Sequence, residues 1–219
     1  MESSLAIPWP RLIADRVAFL WPLKAMGTMG FMALFFWVYF GVSRHPAMPP
    51  RVMPVIWLDT WIEFSPAALP AYLSLWIYVS LAPALLGSLQ SLMRFGLWIG
   101  GLCTFCLAIF WLFPTNTPSF GIDWADHPDF VFLKGLDTAG NACPSLHVAT
   151  TVFAAIWLER VLGRLGAPRG LRWLSALQCS VIIWSTIATR QHVVLDAVGG
   201  VVVGVVFAVL SLRQTRGEV

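Results

Sequence analysis

Charge is scarce in this sequence. Asp, Glu, Lys and Arg make up 11% of its 219 residues, under half of the ~25% that soluble globular domains carry. With 58% hydrophobic residues and a mean hydropathy of +0.75, the composition excludes an ordinary soluble domain. The net charge is only +3, and no basic stripe interleaved with aromatics is present, which excludes a nucleic-acid partner. Cysteine is rare as well. Of the four, Cys103 and Cys106 form a C-x-x-C pair inside an apolar run, without the soluble surroundings a redox or zinc motif needs. They read as small helix-packing residues, and with Cys143 lacking an obvious partner no structural disulfide is expected. No repeat, low-complexity tract or Gly/Ser linker divides the chain, so residues 1–219 read as a single membrane domain. No small-x-small cleavage pattern follows the first apolar run, which argues against a removable leader.

What is abundant is long apolar sequence. Six stretches, residues 25–42, 67–87, 92–113, 147–162, 172–189 and 193–212, are each able to cross ~30 Å of hydrocarbon. The expected fold is therefore an all-α integral membrane protein, a bundle of six transmembrane helices. Glu159 and Arg160 close the fourth stretch and are expected to snorkel to the interface. Gln178, Ser180, Ser185 and Thr186 mark the fifth as facing other helices rather than lipid. Within the first 24 residues, 9–24 alternate apolar and charged side chains, which reads either as an amphipathic helix lying on the membrane or as a tethered tail.

The basic residues set the orientation. With the N-terminus inside, ten of the fourteen Lys and Arg fall on the inner side, and only Arg44, Arg51, Lys134 and Arg190 on the outer. The bundle is expected N-in and C-in, in the inner or plasma membrane if the cell is bacterial, where outside means the periplasm. The long outer loop, residues 114–146, carries Asp123, Asp126, Asp129 and Asp137.

That topology brings three polar clusters to the outer side: residues 114–118, 144–147 and 185–196. His192 and Asp196 are four apart, so on a helix they share a face. A carboxylate on one imidazole nitrogen fixes the tautomer and leaves the other free as nucleophile or base. Asp196 is costly in an apolar span and calls for a partner. Pro144 suits a first helical position, which would leave the amides of Ser145, Leu146 and His147 pointing outward as an anion site. Taken singly, each cluster also fits a plain helix cap. A metal site built from His147, His192, Asp196 and Cys143 is chemically possible, and so is a catalytically silent membrane or transport protein.

Together the clusters resemble the type-2 phosphatidic acid phosphatase superfamily. Pro144-Ser145-Leu146-His147 matches its P-S-G-H signature with Leu for Gly, and Ser185, His192 and Asp196 match S-R-x5-H-x3-D at the family spacing. The P-S-L-H spelling and Pro114-Thr115-Asn116-Thr117-Pro118 look like the inositol phosphorylceramide synthase branch. Three departures stand out: Thr186 replaces the signature arginine, Ser119 occupies the arginine position of the branch motif, and K-x6-R-P is absent.

The resemblance implies a metal-free, cofactor-free lipid phosphatase or phosphotransferase. His192 would attack phosphorus, Asp196 would orient it, and His147 would act as acid and then base. Ser145 and the Leu146 amide would hold the phosphate, with Arg190 or Lys134 supplying the missing cation. Arg44 and Arg51 are distant candidates. Thr115, Asn116 and Thr117 would contact the head group, and Trp124, Phe130 and Phe132 either guide the lipid or form an interfacial belt. The small outer loops leave little protein for a second acceptor pocket, so hydrolysis of a lipid or polyprenyl monophosphate is expected. Transfer of a phospho-head group to an alcohol is the alternative. The substrate is a membrane lipid phosphate in either case.

Overall fold

The computed structural model describes residues 7–130 and 140–213. A short helix α1 (Trp9–Ala18) leads into α2 (Trp21–Arg44). A one-turn-plus helix α3 (Trp57–Trp61) precedes α4 (Pro66–Ala84), which opens on a 3-10 turn and shifts its hydrogen bonding near Ser74. Then come α5 (Leu89–Leu112), α6 (Leu146–Arg164), α7 (Arg169–Ala188) and α8 (Val194–Arg213). The two-residue strands β1 (Arg51–Val52) and β2 (Thr115–Asn116) pair in parallel, Arg51 opposite Thr115.

The helices α2, α4, α5, α6, α7 and α8 are each long and apolar enough to cross a membrane. Their ends lie within four residues of the six stretches read from the sequence. The chain is a multi-pass membrane protein. The N-terminal segment differs in its boundary: α1 stops at Ala18, Leu20 takes a left-handed φ of 51°, and α2 begins at Trp21. Pro22 suits the first turn of a new helix, because the amide it lacks would be unpaired there. Lys24 consequently belongs to the first span. Its buried ammonium donates to the carbonyls of Arg16 and Ala84, both at 2.7 Å, at the C-terminal ends of α1 and α4. A cation is favoured at such ends by the helix dipole.

The centre of the bundle is α6, whose apolar window is 61% buried, against 28% for α7 and none for α2. The polar residues of α7 divide accordingly. Gln178 donates to Ser74 at 2.7 Å, and Ser175 bonds the Tyr78 hydroxyl at 2.9 Å. Ser185 and Thr186 are fully buried. Ser180 instead faces outward, contrary to expectation, with its hydroxyl satisfied by the Ala176 carbonyl of its own helix. Glu159 is paired with Arg172 across the α6–α7 turn, with Nε 2.9 and 3.0 Å from the carboxylate.

Helices α6 and α8 approach each other closely, and glycine makes it possible. A Cβ on Gly200 would lie 2.5 Å from the Ser145 carbonyl oxygen, and one on Gly204 would lie 2.6 Å from that of Ala149. In an apolar solvent, where hydrophobic burial does not drive helices together, such close backbone approach supplies the packing. Below it, Trp157 donates its indole N–H to Ser211 at 2.9 Å. Gly204→Ala is expected to destabilise the bundle by about 1–3 kcal/mol, since backbone cannot yield to the added methyl. Gly41→Ala, where a Cβ meets open space, is expected to leave the melting temperature unchanged or raise it. Thermal unfolding of both variants in detergent measures the difference, and equal behaviour would refute the close-approach explanation.

Candidate active site

The three polar clusters meet at one end of the bundle, joined by hydrogen bonds among themselves. The Thr115 hydroxyl accepts from the Cys143 amide at 2.8 Å, and the Asn116 side-chain oxygen accepts from the Gly140 amide at 2.6 Å. Thr117 donates its hydroxyl to the Gln191 carbonyl at 2.8 Å. The Ser145 amide donates to the Asp196 carbonyl at 2.9 Å. Thr115, Asn116 and Thr117, expected at the head group, thus have these side-chain oxygens engaged by protein.

At the centre four side chains run in sequence. Asp196 Oδ2 lies 3.6 Å from His192 Nδ1, within ion-pair range, and also accepts from the Val193 amide at 3.0 Å. His192 Nε2 lies 3.2 Å from His147 Nδ1, and His147 Nε2 lies 2.8 Å from the Tyr72 hydroxyl. One set of tautomers satisfies the row: Tyr72 donates to His147 Nε2, His147 Nδ1–H donates to His192 Nε2, and His192 Nδ1–H points at Asp196. Asp196 and Tyr72 are buried, and His192 is only 4% exposed.

Beside this row, the start of α6 differs in detail from the sequence reading. Ser145, rather than the residue before Pro144, is the N-cap; its hydroxyl accepts from the Val148 amide at 3.3 Å, and its own amide is taken by the Asp196 carbonyl. Pro144 therefore sits just outside the helix rather than in its first turn. The amides left at the helix start are those of Leu146 and His147, whose residues line the cavity described below.

His192 is aimed by the end of α7. The amides of Arg190 and Gln191 return to the carbonyls of Ile187 and Thr186, a closure that places a left-handed residue just past the helix. That residue is Arg190, with φ 55°, where glycine would be the unstrained choice. Its guanidinium donates to the carbonyls of Ile62 at 2.7 Å and Asp59 at 3.2 Å and stacks 4.2 Å over the Phe120 ring. Arg190 thus ties the His192 turn to the loop before α4, with both terminal nitrogens on carbonyls. Burial draws its pKa down and the neighbouring Asp59 opposes that. Lys134 and Phe132 lie outside the described residues. Trp124 and Phe130 pack edge-on against Phe64 at 5.7 and 5.6 Å, with Phe130 buried, so these two form a loop core instead of a lipid-facing belt.

Two residues of the site escaped the sequence reading. Asp59, 1% exposed, accepts from the Val194 amide at 2.7 Å and the Ile56 amide at 2.9 Å, capping the start of α8 from 135 positions away. An acidic residue alone between Trp57 and Trp61 was the available signal. Tyr72 had none, because a tyrosine inside an apolar span reads as packing.

The histidines open onto a cavity of about 620 Å³. Tyr39, Asn141 and Gln191 join His147, His192 and Tyr72 at this end, and apolar side chains of α2, α4 and α5 line the remainder. Asn141 donates to the Tyr39 hydroxyl across the mouth. Cys143 stands near Asp196 with its thiol pushed up to about 11, by burial first and by Asp196 second, so it is protonated at neutral pH. Among the described residues, no three His, Cys, Asp or Glu side chains are grouped to hold a metal ion.

A buried carboxylate behind one histidine, with a second histidine facing it over a membrane-embedded cavity, defines an integral membrane protein equipped for acid–base and nucleophilic chemistry. Residues 55–210 match the family model described as the PAP2 superfamily, and the chain belongs to that superfamily. It is thereby a phosphatase- or phosphotransferase-type lipid enzyme. Neither the curated proteins nor the solved structures yield a significant match.

Arg190→Ala is expected to cost about 1.5–3 kcal/mol of stability, the scale of hydrogen bonds made by a charged group. Arg190→Lys is expected to cost nearly as much, because an ammonium cannot span two carbonyls and stack on a ring. Melting temperature and KM distinguish the alternatives. A lysine variant with wild-type stability and KM would mean that Arg190 acts as a charge on phosphate.

Proposed function

We propose that the protein hydrolyses a lipid or polyprenyl monophosphate through a phosphohistidine on His192. The observation that carries this reading is the continuity of the His192–His147 pair with an apolar cavity of lipid dimensions. A soluble phosphate ester would need no such shaft.

In this scheme the phosphate parts the two rings, whose facing nitrogens stand 3.2 Å apart without it. The phosphate monoester, arriving as its monoanion, gives its remaining proton to His147, which then carries both ring protons, Nδ1–H toward the leaving oxygen and Nε2–H toward the Tyr72 oxygen. His192 Nε2 forms a bond to phosphorus as the ester P–O bond breaks, and the leaving oxygen takes the Nδ1 proton of His147. Asp196 offsets the positive charge that develops on His192. A water molecule next gives a proton to His147 Nδ1 while its oxygen attacks phosphorus. The P–N bond breaks, phosphate departs taking the extra proton of His147, and both histidines return to their resting protonation. The Leu146 and His147 amides, at the positive end of α6, face the nonbridging oxygens. Lys134 is the proposed loop cation for the remaining charge. Ser145, Arg190, Thr115, Asn116 and Thr117 act as positioning residues. The site would face the outer, periplasmic side, in keeping with the basic-residue asymmetry.

Transfer to an alcohol uses the same row with an acceptor hydroxyl in place of water, and the Pro144-Ser145-Leu146-His147 spelling favours that second reading. Purified protein offered lipid monophosphates is expected to release free phosphate, with or without inositol. His192→Ala and His147→Ala are each expected to lower turnover at least ~10²-fold. Tyr72→Phe is expected to lower kcat by roughly ten-fold with little change in KM, because it supports His147 without touching phosphate. Near-normal turnover in either alanine variant would sink the mechanism. A phosphodiester lipid formed with little free phosphate would replace hydrolysis by transfer.

A further inference from the structure

The cavity does not end near the histidines. Its wall continues along α2 and α5 to Lys24, near the opposite end of both helices. From Tyr39, at the mouth, to Lys24 is 15 residues of α2, a rise of about 22 Å at 1.5 Å per residue. One leaflet supplies only about half of the ~30 Å hydrocarbon core. The groove is therefore deeper than a lipid chain resting in a single leaflet requires.

Two glycines keep its far half open. Gly27 on α2 and Gly96 on α5 both line the groove, and a Cβ built on either meets nothing within 4 Å. Glycine inside a helix costs roughly 0.5–1 kcal/mol relative to alanine, and neither position needs it for close packing. Below them the Lys24 ammonium, held on the Arg16 and Ala84 carbonyls, closes the floor with a polar group. The α2 wall also lies outside residues 55–210, the part that matches the superfamily.

We propose that the far half of this groove is a chain-length-selecting site, with Gly27 and Gly96 as the selecting positions and Lys24 as the floor. Its occupant is the distal part of a single prenyl or alkyl chain longer than one leaflet, attached to the phosphate at His192. The inference rests on the lipid phosphatase reading and narrows its substrate to long-chain monophosphates.

The test compares farnesyl phosphate with a long-chain polyprenyl phosphate on the full-length protein in detergent. Gly96→Leu and Gly27→Leu fill the groove from opposite walls. Gly30→Leu is the control, since its surroundings are equally open and it does not line the cavity. Each filling variant is expected to lower kcat/KM for the long chain at least ~10-fold while the short chain stays within about two-fold, the scale of a few methylenes lost from a pocket. Retained farnesyl phosphate turnover shows that the variant is folded. Equal loss on both substrates in both variants, or an unchanged long-chain rate, would overturn chain-length selection. A wild-type protein inactive on both phosphates would overturn the phosphatase reading and this inference with it.

Discussion

Across the crossing of α6 and α8, the Ser145 amide donates to the Asp196 carbonyl at 2.9 Å, and the geometry of the site depends on that approach. His147 begins α6 and His192 precedes α8, so the separation of the two helices sets the separation of the rings. Gly200 and Gly204 permit the approach, because any side chain there would collide with the Ser145 or Ala149 carbonyl. A shift of one ångström would take the 3.2 Å nitrogen pair out of hydrogen-bonding range.

Around this crossing, polar side chains mostly hold the loops in place. Asp59 caps α8, Arg190 fastens the His192 turn, and Thr115 and Thr117 stitch the strand after α5 to the other two clusters. Buried polar groups in apolar surroundings are costly unless paired, so these ties also make the polar end of the bundle sustainable. In the proposed scheme the groups left to face phosphate are few: two histidines and two amides at the start of α6, with Lys134 as the loop cation and the Tyr72 hydroxyl behind His147. The departure from the superfamily signature, Thr186 in place of an arginine, fits a site that relies on fewer cations.

The six spans were legible in the sequence because hydropathy over about 20 residues is a local signal. The same holds for the pairing of His192 with Asp196, which needs only helical spacing. What could not be read were contacts between distant segments. Tyr72 meets His147 from 75 positions away, and Asp59 meets Val194 from 135. The role of Arg190 was obscured for a different reason: an arginine beside a histidine motif looks like an anion ligand until its left-handed backbone and its two carbonyl partners are seen. The start of α6 was misjudged by two positions, because Pro144 can stand either inside the first turn or just before the cap. Gly200 and Gly204 drew no reading from the sequence, because only the crossing with α6 gives their small-xxx-small spacing a purpose.

The covalent step on His192 is the claim from which the proposed chemistry follows. Rapid quenching of the enzyme with a lipid monophosphate labelled on phosphorus tests it most directly. The expected result is a protein-bound label that is stable to alkali and lost in acid, as a phosphohistidine is, present in the wild type and absent from His192→Ala. Label retained in His192→Ala, or turnover of the wild type with no trapped phosphoenzyme under single-turnover conditions, would contradict it.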